Sequence, residues 1–157
     1  MASKEAVYEI QLSLRRMLQG GREMQSSLAR QLGVRVIDVQ AVDHVVSAEE
    51  PLGPVDLGNR LGIRSASATT LVDRLVAAGH LVREPHPADA RRVALRATEH
   101  ARYEVRQSLT PMLDEITAAI ERLDHDQAAT VSAFLHEVTA AMRDYAHRPD
   151  RTTPEFD

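Results

Sequence analysis

The chain has 157 residues, a formal charge of −4 from 19 Lys+Arg against 23 Asp+Glu, 43% hydrophobic residues, 3% aromatic residues and no cysteine. That length suits one domain, or one compact fold with a dimerising extension, while the missing cysteine excludes disulfides, thiolate metal sites, Fe–S clusters and cysteine nucleophiles. No apolar run nears the roughly 18 residues a membrane span needs, and the N-terminal MASKEAVYEIQLSLRR lacks a signal-peptide core, so a cytoplasmic protein with no membrane partner is expected.

In chain order, Val7, Ile10, Leu14, Met17, Met24 and Leu28 follow three-four spacing and predict a long first helix. Gly20-Gly21 interrupts its stripe and is expected to bend it. A second helix is expected from about Val36 to Ser47, burying Val39, Val42 and Val46. Glu49 to Pro54 reads as a loop on its Pro and Gly content. Two short helices follow, at about 54–61 and 65–79. Leu81–Glu84 and Arg92–Arg96 alternate with period two around the turn-rich His86–Ala90, which predicts a hairpin. Thr98 suits an N-cap, with Glu99 in the first turn of a helix reaching about Leu123. Asp124 and Gln127 have capping-box spacing, and Val131, Phe134, Leu135, Val138, Met142 and Tyr145 then recur with a helical period. The polar, Pro-containing tail 148–157 is expected to fray.

Charge is unevenly spread. Residues 55–105 hold eight basic and six acidic residues, whereas 106–157 hold five basic and ten acidic. Every basic residue but Lys4 is arginine. Arginine suits bidentate contacts to phosphate and guanine, although a biased genome composition explains the same excess.

The stretch from Pro54 to Thr98 carries the functional signal. Two short helices around Gly62-Ile63-Arg64 make a helix-turn-helix, with Ile63 filling the angle between them. On the second of these helices Ala68, Leu71, Val72 and Leu75 form one face. Ser67, Thr70, Asp73, Arg74 and Ala77 form the opposite one, with Thr69 at its edge. Small hydroxyl side chains permit close approach to a major groove, and Arg74 has the reach for phosphate or guanine. An amphipathic helix pair with a solvated polar face has the same pattern, so the helices alone leave both readings open.

The run Val82-Arg83-Glu84-Pro85-His86-Pro87-Ala88-Asp89-Ala90-Arg91-Arg92-Val93-Ala94-Leu95-Arg96-Ala97-Thr98-Glu99 resembles the wing of the MarR family of bacterial transcription regulators. In that family an Asp-x-Arg tip is followed by a strand ending in Thr-Glu and a helix. Leu57-Gly58-Asn59-Arg60-Leu61-Gly62-Ile63 and Leu71-Val72-Asp73-Arg74-Leu75 are similar to the family's two helices. The resemblance implies a mainly α fold with a small β-hairpin wing. A winged helix-turn-helix over 35–104 would join a helical dimerisation region made of 1–34 and 105–147. It implies a homodimer interface including Val7, Ile10, Val131, Phe134, Leu135, Val138 and Met142. It further implies that Ser65, Ser67, Thr69, Thr70 and Arg74 face the major groove. At the wing, Asp89 would orient Arg91 into the minor groove, with Arg92 beside it. Three departures stand out: Gly58 where alanine is usual, Ala101 where glycine often follows Thr-Glu, and Arg35 where a helix cap is usual. The first two keep a small side chain; the third is expected to loosen the start of the second helix.

Other chemistries find little support. No two of the seven histidines lie three or four residues apart, so no helical metal pair and no cofactor are expected. Asp43-His44 could read a ligand or pH, yet adjacent helical residues point about 100° apart. No phosphate loop, nucleophile elbow or apolar carboxylate pair suggests catalysis. The expected function is that of a dimeric regulator of transcription on double-stranded DNA, repressing at a palindromic operator, with release by a small-molecule effector as a further expectation. The alternative is a winged helix that binds a protein partner and has no useful DNA affinity, which the net negative charge favours and Arg74, Arg91 and Arg92 oppose.

Overall fold

The computed structural model describes residues 1–146 and residue 148, so the expected frayed tail lies, Arg148 apart, outside the described residues. Among them run α1 (Lys4–Leu32), α2 (Val36–Val46), α3 (Pro54–Leu61), α4 (Ser65–Ala77), β1 (Leu81–His86), β2 (Asp89–Ala97), α5 (Glu99–Ile120) and α6 (His125–Ala146). The helix starts have identifiable causes. Ser3 Oγ accepts the Ala6 N–H at 3.1 Å to open α1, and Thr98 Oγ1 accepts the Ala101 N–H at 3.1 Å to open α5. Asp124 and Gln127 cap α6 reciprocally, at 2.8 and 3.0 Å, and each such cap contributes about 1 kcal/mol.

The start of α2 corrects an expectation. Arg35 is not a capping side chain, yet its backbone N–H donates to Asp38 Oδ2 at 3.0 Å. The third residue of the helix reaches back and closes the turn, so the missing cap does not leave the end open. The α3 start uses the same device, with Asp56 Oδ2 accepting the Gly53 N–H at 2.9 Å and Pro54 pre-set in the first turn. α1 runs through Gly20 and Gly21 without interruption.

Two compact units divide the chain, residues 1–110 and residues from 111 on, with the border inside α5 at Thr110-Pro111. In the first unit, Ala41, Val42, Leu57, Leu71, Val72, Leu75, Leu81, Leu95, Ala97 and Ala101 form one buried cluster, with Ile63 packed against it. A smaller cluster joins Leu28, Ala29 and Val39, flanked by Leu32, Val34, Val105 and Leu109. Burying each leucine is worth about 2 kcal/mol, so four elements and a hairpin are held to one centre. Val46 is exposed, contrary to expectation. The inward stripe of α2 runs through Asp38, Ala41, Val42 and Val45, which leaves Val46 at its edge. In the second unit α6 buries no residue, and Val131, Phe134, Leu135, Met142 and Tyr145 all lie exposed.

The hairpin is antiparallel, with Leu81 opposite Ala97 and Arg83 opposite Leu95. Beyond Pro85–Val93 the register jumps to His86–Asp89, so Ala90, Arg91 and Arg92 bulge out of β2 at the tip. The strands are longer than the sequence pattern predicts because that bulge breaks the alternation. At its inner end β2 gains a further rung, Leu95 N–H donating to Leu52 O at 2.8 Å.

The helix-turn-helix angle depends on two glycines. Gly62 ends α3 with φ +67, a left-handed conformation that other residues adopt at a cost. Gly58 sits where α3 meets α4: a Cβ there would lie 2.8 Å from the Ala68 Cβ. Alanine at 58 therefore does not fit against this Ala68. Gly58→Ala should lower the thermal midpoint, since overpacking costs about 1–3 kcal/mol and outweighs the roughly 1 kcal/mol of helix propensity gained. Ala68→Gly added to it should relieve the clash, making the pair more stable than the two single losses predict. Additive losses in a double-mutant cycle would contradict this packing.

Candidate nucleic-acid interface

α4 has one buried face and one bare face. Ala68, Leu71, Val72 and Leu75 are buried, while Ser65, Ala66, Ser67, Thr69, Thr70 and Asp73 are exposed, as the three-four spacing dictates. A shallow groove lined by Ala66, Ser67, Thr70, Leu71 and Arg74 runs along the bare face. Thr69 Oγ1 donates to Ser65 O and Thr70 Oγ1 to Ala66 O, each at 3.1 Å. Both hydroxyl protons are thus spent within the helix. What Thr69 and Thr70 offer outward is an acceptor oxygen and a methyl group. No side chain caps the N-terminus of α4, and its first turn contains no acidic residue. Its backbone N–H groups and the positive end of its dipole are therefore open to an anion.

Arg74 is placed differently from the other four recognition-helix candidates. Its guanidinium turns inward and its NH2 nitrogen donates to Asp38 Oδ1 on α2. Asp38 is 6% exposed and is the buried charged side chain among the described residues. Arg74 Nε is shielded as well, and finds no hydrogen-bond partner among the described residues. The sequence marked Arg74 as polar-faced but offered no sign of this partner, 36 residues away.

The wing presents its candidates at the tip. Asp89 Oδ1 accepts from both the backbone N–H of Arg91, at 3.0 Å, and its Nε, at 3.3 Å. The Arg91 side chain is nevertheless 92% exposed, so it is aimed but not covered. Arg92 leans the other way, 4.0 Å from Asp56 Oδ2 at the start of α3. Two further ion pairs, missed in the sequence, stiffen this element. Arg83 on β1 donates to Asp73 on α4 at 2.5 Å, and Arg96 donates to Glu84 across the hairpin at 2.8 Å, which holds the Glu84 carboxyl below its usual range. α4 and the hairpin are thus joined by side chains as well as by the chain.

At the other end of α4 the fold gathers groups that are distant in sequence. Thr98 Oγ1 donates to Gly79 O at 2.7 Å, and Thr98 N–H donates to His80 O at 3.0 Å. His80 and His100 stack with ring centroids 6.3 Å apart, and their Nε2 atoms lie 3.8 and 3.4 Å from Glu104 Oε2. Nearby, Leu32, Val34, Asp38, Val39, Val42, Leu75, His80, Ala101, Glu104 and Val105 line a cavity of about 20 Å³. That is room for about one water molecule.

Comparison with known proteins agrees with this architecture. Residues 32–92 match the MarR family model. The HTH-type transcriptional regulator YcgE of Bacillus subtilis is 24% identical over 120 residues, covering 76% of this chain and 77% of that protein. A MarR family protein from Bacillus stearothermophilus shares the fold with a TM-score of 0.64, at 15% identity over 91% of this chain and 99% of that one. A mutant of S. aureus MepR, bound to an oligodeoxyribonucleotide, shares it with a TM-score of 0.52, at 16% identity over 83% of this chain and 96% of that one. No helix among the described residues is long and apolar enough to cross a membrane.

Asp43 and His44, the pair singled out on α2, have different surroundings: Asp43 is exposed and His44 half-buried. Burial lowers the His44 pKa, Asp43 raises it and Arg60 lowers it, with a net fall from the ordinary value of 6.5. The unfolded chain therefore takes up this proton more readily than the folded one. Stability from neutral His44 is full above pH 6.5 and declines as the pH falls below it. Denaturant titrations between about pH 5 and 7 should show that His44→Gln flattens part of the parent's slope. An unchanged slope would mean that His44 is hydrated in the folded state.

Proposed function

We propose that the protein, whose residues 32–92 match the MarR family model, is a homodimeric, sequence-specific binder of double-stranded DNA that regulates transcription. In this reading it represses at a palindromic operator and is released by a small-molecule effector. The observation that carries the reading is the bare, uncapped and acid-free start of α4, which offers Ser65, Ser67, Thr69 and Thr70, while the hairpin tip offers the exposed, carboxylate-held Arg91. Open backbone N–H groups at a helix start suit a phosphate, and hydroxyls suit base edges at close approach. The oligodeoxyribonucleotide bound by the MepR mutant of the same fold supports the same class of partner.

The division of labour follows from the chemistry each element offers. Ser65 and Ser67 sit in the first turn of α4, where backbone phosphate and base edges meet. Thr69 and Thr70 present acceptors and methyl groups, which match the N–H2 donors of adenine and cytosine and the methyl group of thymine. Arg91 is rigidified by Asp89 before DNA arrives, and an arginine inserted in a narrow minor groove reads its width through the potential there. Arg92 adds positive charge near the backbone. Residues 35–104 would thus do the reading, with 1–34 and 105–147 as the dimer body. A second copy would cover the exposed Val7, Ile10, Val131, Phe134, Leu135 and Met142 and the half-buried Val138. Two-fold symmetry would then set two α4 helices about 34–36 Å apart, over successive major grooves. An effector would have to open the 20 Å³ cavity before it could lodge there.

Titrating a pool of random duplexes at several salt concentrations tests the reading. The parent should bind with affinity that falls steeply with salt and should select a palindrome. Arg91→Ala should weaken all duplexes and make the salt slope shallower by about 0.9 for each phosphate charge it no longer neutralises. Thr70→Ala should instead alter preference at one position of each half-site, at about 1–3 kcal/mol. Binding that salt does not weaken would favour a protein partner over DNA.

The dimer has its own test. Sedimentation should give two copies, and Leu135→Glu should yield single chains whose duplex affinity collapses because the half-sites are no longer read together. A parent that sediments as a folded single chain would refute the dimer.

A further inference from the structure

We propose that Asp38 and Arg74 form a positioning latch, in which Arg74 acts on DNA recognition from inside the domain and sets the angle and register of α4 without touching DNA. The proposal rests on the DNA-binding reading above and assigns Arg74 a role that its polar-faced position in the helix does not suggest. Ser67, Thr70 and Arg74 follow one another at three- and four-residue steps, so they share a stripe of α4. The first two stand exposed on it, while the third, its side chain 35% exposed at the edge of the same groove, turns its guanidinium to Asp38.

Three observations keep it there. Asp38 is buried, and an unpaired buried carboxylate is strongly disfavoured, so it holds its cation. Its other oxygen is committed to the Arg35 N–H, so the carboxylate cannot follow Arg74 outward without opening the first turn of α2. Arg74 Nε is shielded too, which places the guanidinium within the structure at more than its tip. The anchor itself is firm. α2 is held to α1 by Val39 against Leu28 and Ala29, and by Gln40 donating to Gln25 at 3.2 Å. A shift of the first turn of α2 against α1 would therefore reach the reading helix through one ion pair.

The test uses the full chain and duplexes that the parent protein itself selects from a random pool. Asp38→Asn/Arg74→Met removes both charges together, which a buried site tolerates far better than losing one partner. Thermal melting checks folding. Affinity over several salt concentrations and a panel of single-base variants checks recognition. The latch predicts that the folded double variant binds about tenfold more weakly, keeps the parent's salt slope and keeps its rank order of base preferences. Asp38→Asn alone, which retains an oxygen for the Arg35 N–H, should also weaken binding with an unchanged slope. A slope shallower by about 0.9 per chain, or an abolished preference at one base pair of each half-site, would make Arg74 a DNA contact and overturn the latch. Tighter binding by Asp38→Asn would overturn it as well, because a released Arg74 would then be reaching the DNA itself. Should the double variant fail to melt cooperatively, Asp38→Asn decides by the same readings. A parent that selects no duplex overturns the DNA reading and the latch together, whereas the outcomes above strike the latch alone.

Discussion

Asp38 is the side chain that ties α2 to α4 within the winged helix-turn-helix. Its two carboxylate oxygens do separate work: one closes the first turn of α2, the other holds the guanidinium of α4. One partner lies three residues back and the other 36 residues on, so the carboxylate fixes both where α2 begins and how α4 sits against it. Being buried makes it effective. In water such a pair would be worth less than about 1 kcal/mol, whereas in a shielded site breaking it strands a charge. The helix-turn-helix is packed against this fixed point, with Gly58 allowing α3 and α4 to approach until Ala68 fills the gap.

The two units invest their apolar residues differently. Between Leu28 and Ala101 the buried apolar residues form clusters that include every element from α1 to the start of α5. On α6 a comparable stripe has no buried member. Helices gain most of their stability from packing an amphipathic face, and α6 buries no residue of its own face. The acidic excess of residues 106–157 belongs to the same part of the chain, while the mildly basic stretch 55–105 carries the uncapped helix and the wing. Charge and apolar burial thus both change between the middle of the chain and its last third.

Much of this was readable from local signals. Thr98, Asp124 with Gln127, Pro54 and Gly62 each mark a helix end through chemistry confined to a few residues, and the boundaries they predict lie close to those observed. The core face of α4 followed from its spacing alone. Features that depend on distant partners were not readable. Arg74 looks like any polar-face arginine until α2 brings Asp38 beside it. The absence of a cap at Arg35 was legible, but its replacement by Asp38 depends on a side chain reaching backwards. Val46 was misplaced because two candidate stripes on α2 differ by one residue, and tertiary packing chose the other. His80 and His100 showed no spacing rule, since the hairpin folds them together across the intervening chain.

The bulge in β2 has a consequence for how such a protein can diversify. The innermost rungs of the hairpin are pinned by the buried Leu81, Ala94, Leu95 and Ala97, where a one-residue slip would turn core side chains outward. Past Val93 the pairing is already broken, and Ala90, Arg91 and Arg92 follow no alternation that a further residue could upset. Insertions or deletions at this tip leave the core untouched, while moving the reach of one arginine by steps of a few ångströms. The wing therefore joins an invariant stem to a tip of adjustable length, and mutation can retune what that tip touches without retesting the fold.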